Sequence, residues 1–174
     1  GYADRINRGA QAQTMGESLL PIDLGQAAIA TDIVCGKLHT CARLETGRVK
    51  CWGDSRFGQL GLGTEFPVGD DPNEMGDNLP AIDLGADVVV RAISAGENHN
   101  CALLEGGDVK CWGSDLHSAL GILPNGHRGD APGEMGDALP RVPLQGPGMA
   151  LVTGSNVTCV LLSNRELYCW GANL

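Results

Sequence analysis

Six cysteines stand in three equally spaced pairs: Cys41 and Cys51, Cys101 and Cys111, Cys159 and Cys169. Each pair brackets a short polar turn, Glu45-Thr46-Gly47, Glu105-Gly106-Gly107 or Ser163-Asn164-Arg165, with apolar runs on both sides. This is a hairpin signature, because glycine at the last loop position suits a three-residue loop whose final residue has φ > 0. Counting outward from the turn sets the two cysteines of each pair opposite one another. Directly opposed residues of an antiparallel pair lie close enough to be bridged. Three local disulfides follow, each stabilising by about 2–3 kcal/mol. Zinc and buried free thiols are the rival readings. Structural zinc sites favour closely spaced cysteines such as C-x-x-C, which this sequence lacks, and one hairpin supplies two ligands. Persistent disulfides imply an oxidising setting, so the expected location is extracellular or at the cell surface. The seventh cysteine, Cys35, aligns with Ala95 and Thr153. It reads either as a buried free thiol or as the partner of a cysteine elsewhere.

Other residues carry weaker chemical signals. Asp70, Asp71, Glu74 and Asp77 fall in one loop, and Asp130, Glu134 and Asp137 copy their spacing. Clustered carboxylates with backbone carbonyls suit calcium, although the EF-hand spacing is absent. Solvated loop acids are the plainer reading, and the first unit has Ala10, Gln11, Thr14 and Glu17 at these positions. No other cofactor is expected. His39 and His99 each precede a cysteine hairpin. A repeated histidine after a strand-ending glycine is expected to bond a backbone carbonyl across the turn. Nothing at a suitable spacing makes either one a catalytic dyad. Trp52, Trp112 and Trp170 recur at one position, either packed between neighbouring units or stacked on a glycan or protein partner. Asn156-Val157-Thr158 is an N-glycosylation sequon, which needs exposure and a secretory route. Ser-His-Asp, P-loop and dinucleotide fingerprints are absent, so the expectation is not an enzyme.

The elements that hold these residues are set by a repeat. Met15-Gly16, Met75-Gly76 and Met135-Gly136 mark the same phase of three units. Within each unit a Leu-Pro segment comes first (Leu20 to Gly25, Leu79 to Gly85, Leu139 to Leu144), and its proline fits an edge strand. An apolar stretch follows (Ala28 to Cys35, Val88 to Ala95, Met149 to Thr153), expected as a buried strand. The hairpin adds two more strands, and a long Gly/Asp/Pro-rich loop leads to the next unit. Four short strands per tandem unit, with Trp-Gly at a fixed place, is the pattern of a β-propeller blade. A stacked-sheet solenoid is the alternative. The expected boundaries are 1–25 for the loop and outer strand of a preceding blade, 26–85 for a first blade, 86–144 for a second, and 145–174 for an incomplete third. The sequence starts and stops at nearly the same phase of the repeat, as three units of a longer array would. Open strand edges are then expected to meet further repeats or another chain. Among 174 residues, 26 are glycine, which favours turns and short strands over long helices. A net charge of −9 argues against a nucleic-acid backbone or an anionic membrane as partner. No run is long enough to span a bilayer.

The segment Gly36 to Ala42, with His39 and Cys41, then Gly47 to Gly53, then Phe57-Gly58-Gln59-Leu60-Gly61, resembles the repeats of the regulator of chromosome condensation family. The resemblance recurs along the whole chain and implies part of a seven-bladed β-propeller. The cysteine pairs and the insert Glu74-Met75-Gly76-Asp77 look like a subgroup found in large extracellular or surface proteins. The resemblance implies binding and scaffolding, without a shared catalytic set. The best-known member is a guanine-nucleotide exchange factor, and nothing here matches an exchange motif residue by residue. Two departures stand out: His117-Ser118-Ala119-Leu120 replaces Phe57-Gly58-Gln59-Leu60, and Val157 replaces the repeated histidine. The expected function is a non-catalytic protein-binding or structural module. The alternatives are glycan- or calcium-dependent adhesion, and intracellular nucleotide exchange or enzyme regulation.

Overall fold

The computed structural model describes residues 1–173. The first sheet comprises β1 (Ala30–Cys35), β2 (His39–Leu44) and β3 (Val49–Gly53). The second comprises β4 (Val90–Ala95), β5 (His99–Leu104) and β6 (Val109–Gly113), and the third β7 (Gly148–Thr153), β8 (Val157–Leu162) and β9 (Leu167–Gly171). Each is an antiparallel meander in sequence order, so the described residues form an all-β arc of three propeller blades.

The hairpins form as their turns require. Gly47 and Gly107 adopt φ of +76° and +86°, and Arg165 holds the same place at +73°. The register sets Cys41 opposite Cys51, Cys101 opposite Cys111 and Cys159 opposite Cys169. All three pairs are disulfides.

Two expectations are corrected at the flanks of the hairpins. The strands expected to be buried are the inner ones, β1, β4 and β7, which lie side by side along the inside of the arc. β1 and β7 are largely exposed, with Ile33 and Val152 facing solvent, whereas β4, in the middle blade, keeps Val90 and Ile93 buried as expected. The middle blade has a neighbour on both broad faces, whereas among the described residues the blades of β1 and β7 each have a neighbour on one side. The Leu-Pro segments are extended but do not join the sheets as fourth strands. A single backbone hydrogen bond ties the second and the third to a hairpin, Ile82 N–H to Val49 O and Val142 N–H to Val109 O, both 2.8 Å. Pro80 and Pro140 have no N–H to offer a ladder. The Asp83 carboxylate accepts the N–H of Gly85 and turns the chain away.

The core therefore lies between sheets. Leu60, Trp112, Leu103, Val109, Val160 and the Cys101–Cys111 disulfide pack into one cluster around the central blade. A smaller cluster gathers Leu24, Leu44, Trp52, Met75 and Leu79. Among the described residues, no helix is long and apolar enough to cross a membrane.

Candidate functional site

The repeated histidines and tryptophans meet at the joints between blades. The Nε2 of His39, at the start of β2, lies 2.9 Å from Oδ1 of Asn100, on β5 of the next blade. The other end of that amide, Nδ2, donates to the Gln59 carbonyl at 2.8 Å. Trp112 Nε1 donates to the same carbonyl at 3.1 Å. The second joint repeats the design. His99 Nε2 lies 3.0 Å from Thr158 Oγ1, Thr158 donates to the Ala119 carbonyl at 2.8 Å, and Trp170 Nε1 donates there at 2.9 Å. The expected histidine partner, a backbone carbonyl across the turn, is thus replaced by a polar side chain one repeat further on. The sequence could not show this, because the pairing exists only once two blades are stacked.

This chain of bonds dictates the tautomer. Asn100 gives its N–H to Gln59, and Thr158 gives its O–H to Ala119, so each can only accept from histidine. Nε2 of both rings therefore carries the proton. Nδ1 of each ring is enclosed without a partner. There is no room for a Cβ at Gly36 or Gly96, because the rings occupy that space. Burial, reinforced by the charge His39 can carry in the neighbouring joint, lowers the His99 pKa to about 4 despite Asp115. Burial likewise lowers His39, against the pull of Asn100 and Asp54. Both rings are neutral at ordinary pH and reach no solvent. Trp112 and Trp52 are buried and Trp170 is half-buried, so packing accounts for the repeated tryptophan.

The loop acids divide between structure and surface. Glu74 Oε2 accepts the backbone N–H groups of Gly69, Asp70 and Asp71 at 2.8, 3.2 and 3.0 Å. Burial alone would raise its pKa; those three donors and Arg5 outweigh it and hold the carboxyl below its ordinary value. Glu134 does the same for Gly129 and Ala131. Asp77 and Asp137 point elsewhere, accepting the N–H of Gln26 and of Ala86 across the joint with the preceding segment. Asp70, Asp71 and Glu74 do converge, with one oxygen from each within 4.8 Å of the others. Arg5 lies 3.1 Å from Asp70 and 3.2 Å from Asp71. In the second unit Ala131 stands in place of Asp71, and Asp130 and Glu134 are left without a third member.

Three further positions differ from, or add to, the sequence reading. Cys35 is exposed and unpaired, on the open inner strand β1, rather than buried. Asn156 is half-buried and donates to Ser155 Oγ, while the hydroxyl of its sequon, on Thr158, is sealed inside the second joint. Lys50 and Lys110, not singled out from sequence, are structural clamps. Lys110 Nζ donates to the carbonyls of Leu84 and Gly136, each at 2.8 Å. Lys50 does so to Leu24 and Gly76 at 2.6 and 3.1 Å. A lysine repeated inside an otherwise apolar strand was the available signal. The long loops also raise two large apolar side chains into solvent, Phe66 at 77% exposure and Leu123 at 80%.

Three-stranded blades joined face to face through a buried His-Asn/Thr-carbonyl-Trp relay define a repeat propeller. Sequence models described as the regulator of chromosome condensation (RCC1) repeat match residues 30–59, 90–118 and 150–174, and, for a second such model, 46–103. The chain belongs to the RCC1-repeat family. It is 35% identical over 115 residues to the probable E3 ubiquitin-protein ligase HERC6 of Homo sapiens, covering 66% of this chain and 10% of that protein. It is 30% identical over 105 residues to the ultraviolet-B receptor UVR8 of Arabidopsis thaliana, covering 59% of this chain and 22% of that protein. The chain thus spans a small fraction of the length of these relatives. The crystal structure of Prp20p from Saccharomyces cerevisiae, a protein that binds Gsp1p and histones, superposes with a TM-score of 0.64 at 21% identity, covering 82% of this chain and 33% of that one. That likeness is one of fold.

Proposed function

We propose that this chain is a non-catalytic protein-binding or scaffold segment of an extracellular or cell-surface protein. The observation that carries this reading is a disulfide in every blade hairpin. Such bonds persist in oxidising compartments and are rare in the cytosol. Protein contact is assigned to the long loops that carry Phe66 and Leu123, because loops on a rigid scaffold are the usual place for binding side chains. Prp20p, with the same fold, binds proteins, which supports the reading at the level of class. Further repeats or another chain against the open blade faces belong to the same reading.

Peptide mapping of the natural protein without reduction tests the compartment. Intact Cys41–Cys51, Cys101–Cys111 and Cys159–Cys169 links are expected. Free thiols at these positions would overturn the reading in favour of intracellular nucleotide exchange or enzyme regulation. The same map reports whether Asn156 carries a glycan. A second reading, calcium-dependent adhesion with a glycan or protein partner, rests on the convergence of Asp70, Asp71 and Glu74. It predicts a rise in melting temperature with millimolar calcium, and no rise would remove it.

A further inference from the structure

We propose that the joints between blades open on mild acidification while each blade stays folded, because a neutral histidine with no acceptor for a second N–H closes each joint. Protonation must occur at Nδ1, since Nε2 already carries its proton to Asn100 or Thr158. Nδ1 of both rings is enclosed and faces no acceptor. A new N–H there is a buried donor without a partner, and it brings a charge into the joint.

The surrounding charges do not relieve it. Asp54, from the segment after β3, faces His39, but its two oxygens accept from Arg56 and from the Gln59 side chain. Asp115, from the segment after β6, faces His99, but it accepts the N–H groups of Leu120 and Gly126. His39 and His99 sit in successive joints on opposite sides of β5, and charge on His39 further opposes charge on His99. Lys37 and Glu97 form an ion pair on the rim of the first joint, and Ser155 donates to Glu97. Burial of both rings disfavours the imidazolium further.

Within a blade the strands are held in another way. Each β2–β3-type hairpin is closed by a covalent bond that acid leaves intact. The chain therefore combines stapled blades with pH-sensitive seams, and acid separates it into its repeats rather than unravelling the strands.

Amide hydrogen exchange against pH resolves the two levels. Lys37 N–H and Glu97 N–H cross the joints, to Glu97 O and Ser155 O at 2.9 Å each. Their protection factors are expected to fall at least tenfold between pH 7 and pH 4.5, while amides in the β2–β3 and β5–β6 ladders hold theirs. In the double variant His39→Gln/His99→Gln the replacement amide still donates across the joint and does not titrate, and the tenfold fall should vanish. No fall in the parent protein, an equal fall at every amide, or an undiminished fall in the variant would each overturn the proposal. Should the variant not fold, imidazole titration by NMR on the parent protein decides. Both rings must titrate below the ordinary histidine range, with Lys37 and Glu97 already losing protection as pH falls through that range, and ordinary titration of the rings or unchanged protection overturns it.

Discussion

Arg165 occupies the left-handed position that glycine fills in the other two hairpins, with φ of +73° against +76° at Gly47 and +86° at Gly107. Its Cβ crowds the backbone in a way that glycine avoids. Arg165→Gly is therefore expected to raise stability by about 0.5–1 kcal/mol in denaturant unfolding, even though glycine loosens the unfolded chain. Lys110 illustrates the opposite case, a residue whose charge is fully used. Burial lowers its pKa, while its ammonium serves two carbonyls, of Leu84 and of Gly136, the latter also held by the Leu139 N–H. Lys110→Met should cost about 1–3 kcal/mol by the same measurement, since it orphans the Leu84 carbonyl in a buried place and takes one of two donors from Gly136.

At the scale of the element, the three hairpins have equal loops but unequal surroundings. Cys101 and Cys111 are wholly buried between blades, whereas Cys169 is exposed on the outer face of the third sheet. Closing equal loops contributes equally through the unfolded chain, about 2–3 kcal/mol each. Removing the central bond also empties packed space. Cys101→Ala/Cys111→Ala is expected to destabilise by about 1–2 kcal/mol more than Cys159→Ala/Cys169→Ala, as read from urea midpoints. Equal losses would show that the central blade relaxes around the gap. The loops behave differently: Phe66→Ala with Leu123→Ala should leave the unfolding midpoint within about 0.5 kcal/mol, because neither side chain is packed.

At the scale of the molecule, stability should depend on pH through the joints. The pKa of His99 falls from 6.5 unfolded to about 4 folded. Between those values the unfolded chain binds more protons, so stability rises with pH across the window. The contribution is complete above about pH 6.5 and is lost as pH falls toward 4. For His99 alone it amounts to about 3 kcal/mol, and His39 adds in the same direction. Urea unfolding at pH 7 and at pH 4.5 checks both sign and size. A midpoint unchanged over that interval would mean that the rings are not buried in solution.

The sequence by itself determined what is local and repeated. The disulfide pairs were legible because hairpin register is counted outward from a turn whose glycine marks its own place, and the blade architecture because the same hairpin returns with its Trp-Gly three times. Even the packing role of Trp112 was visible, as a large apolar residue kept at one phase. What only the tertiary structure decided is everything that depends on one blade meeting the next. The partners of His39 and His99 sit one repeat away, and their acceptors are backbone carbonyls at Gln59 and Ala119, which carry no side-chain signature. The exposure of Cys35 and of β1 follows from a neighbouring blade on one side alone among the described residues, since a strand of apolar composition is buried only if a neighbour's broad face reaches it, as at β4. Likewise the Leu-Pro segments have the composition of strands, but the proline that marks them also denies them a ladder, and one bond to the hairpin is what geometry leaves.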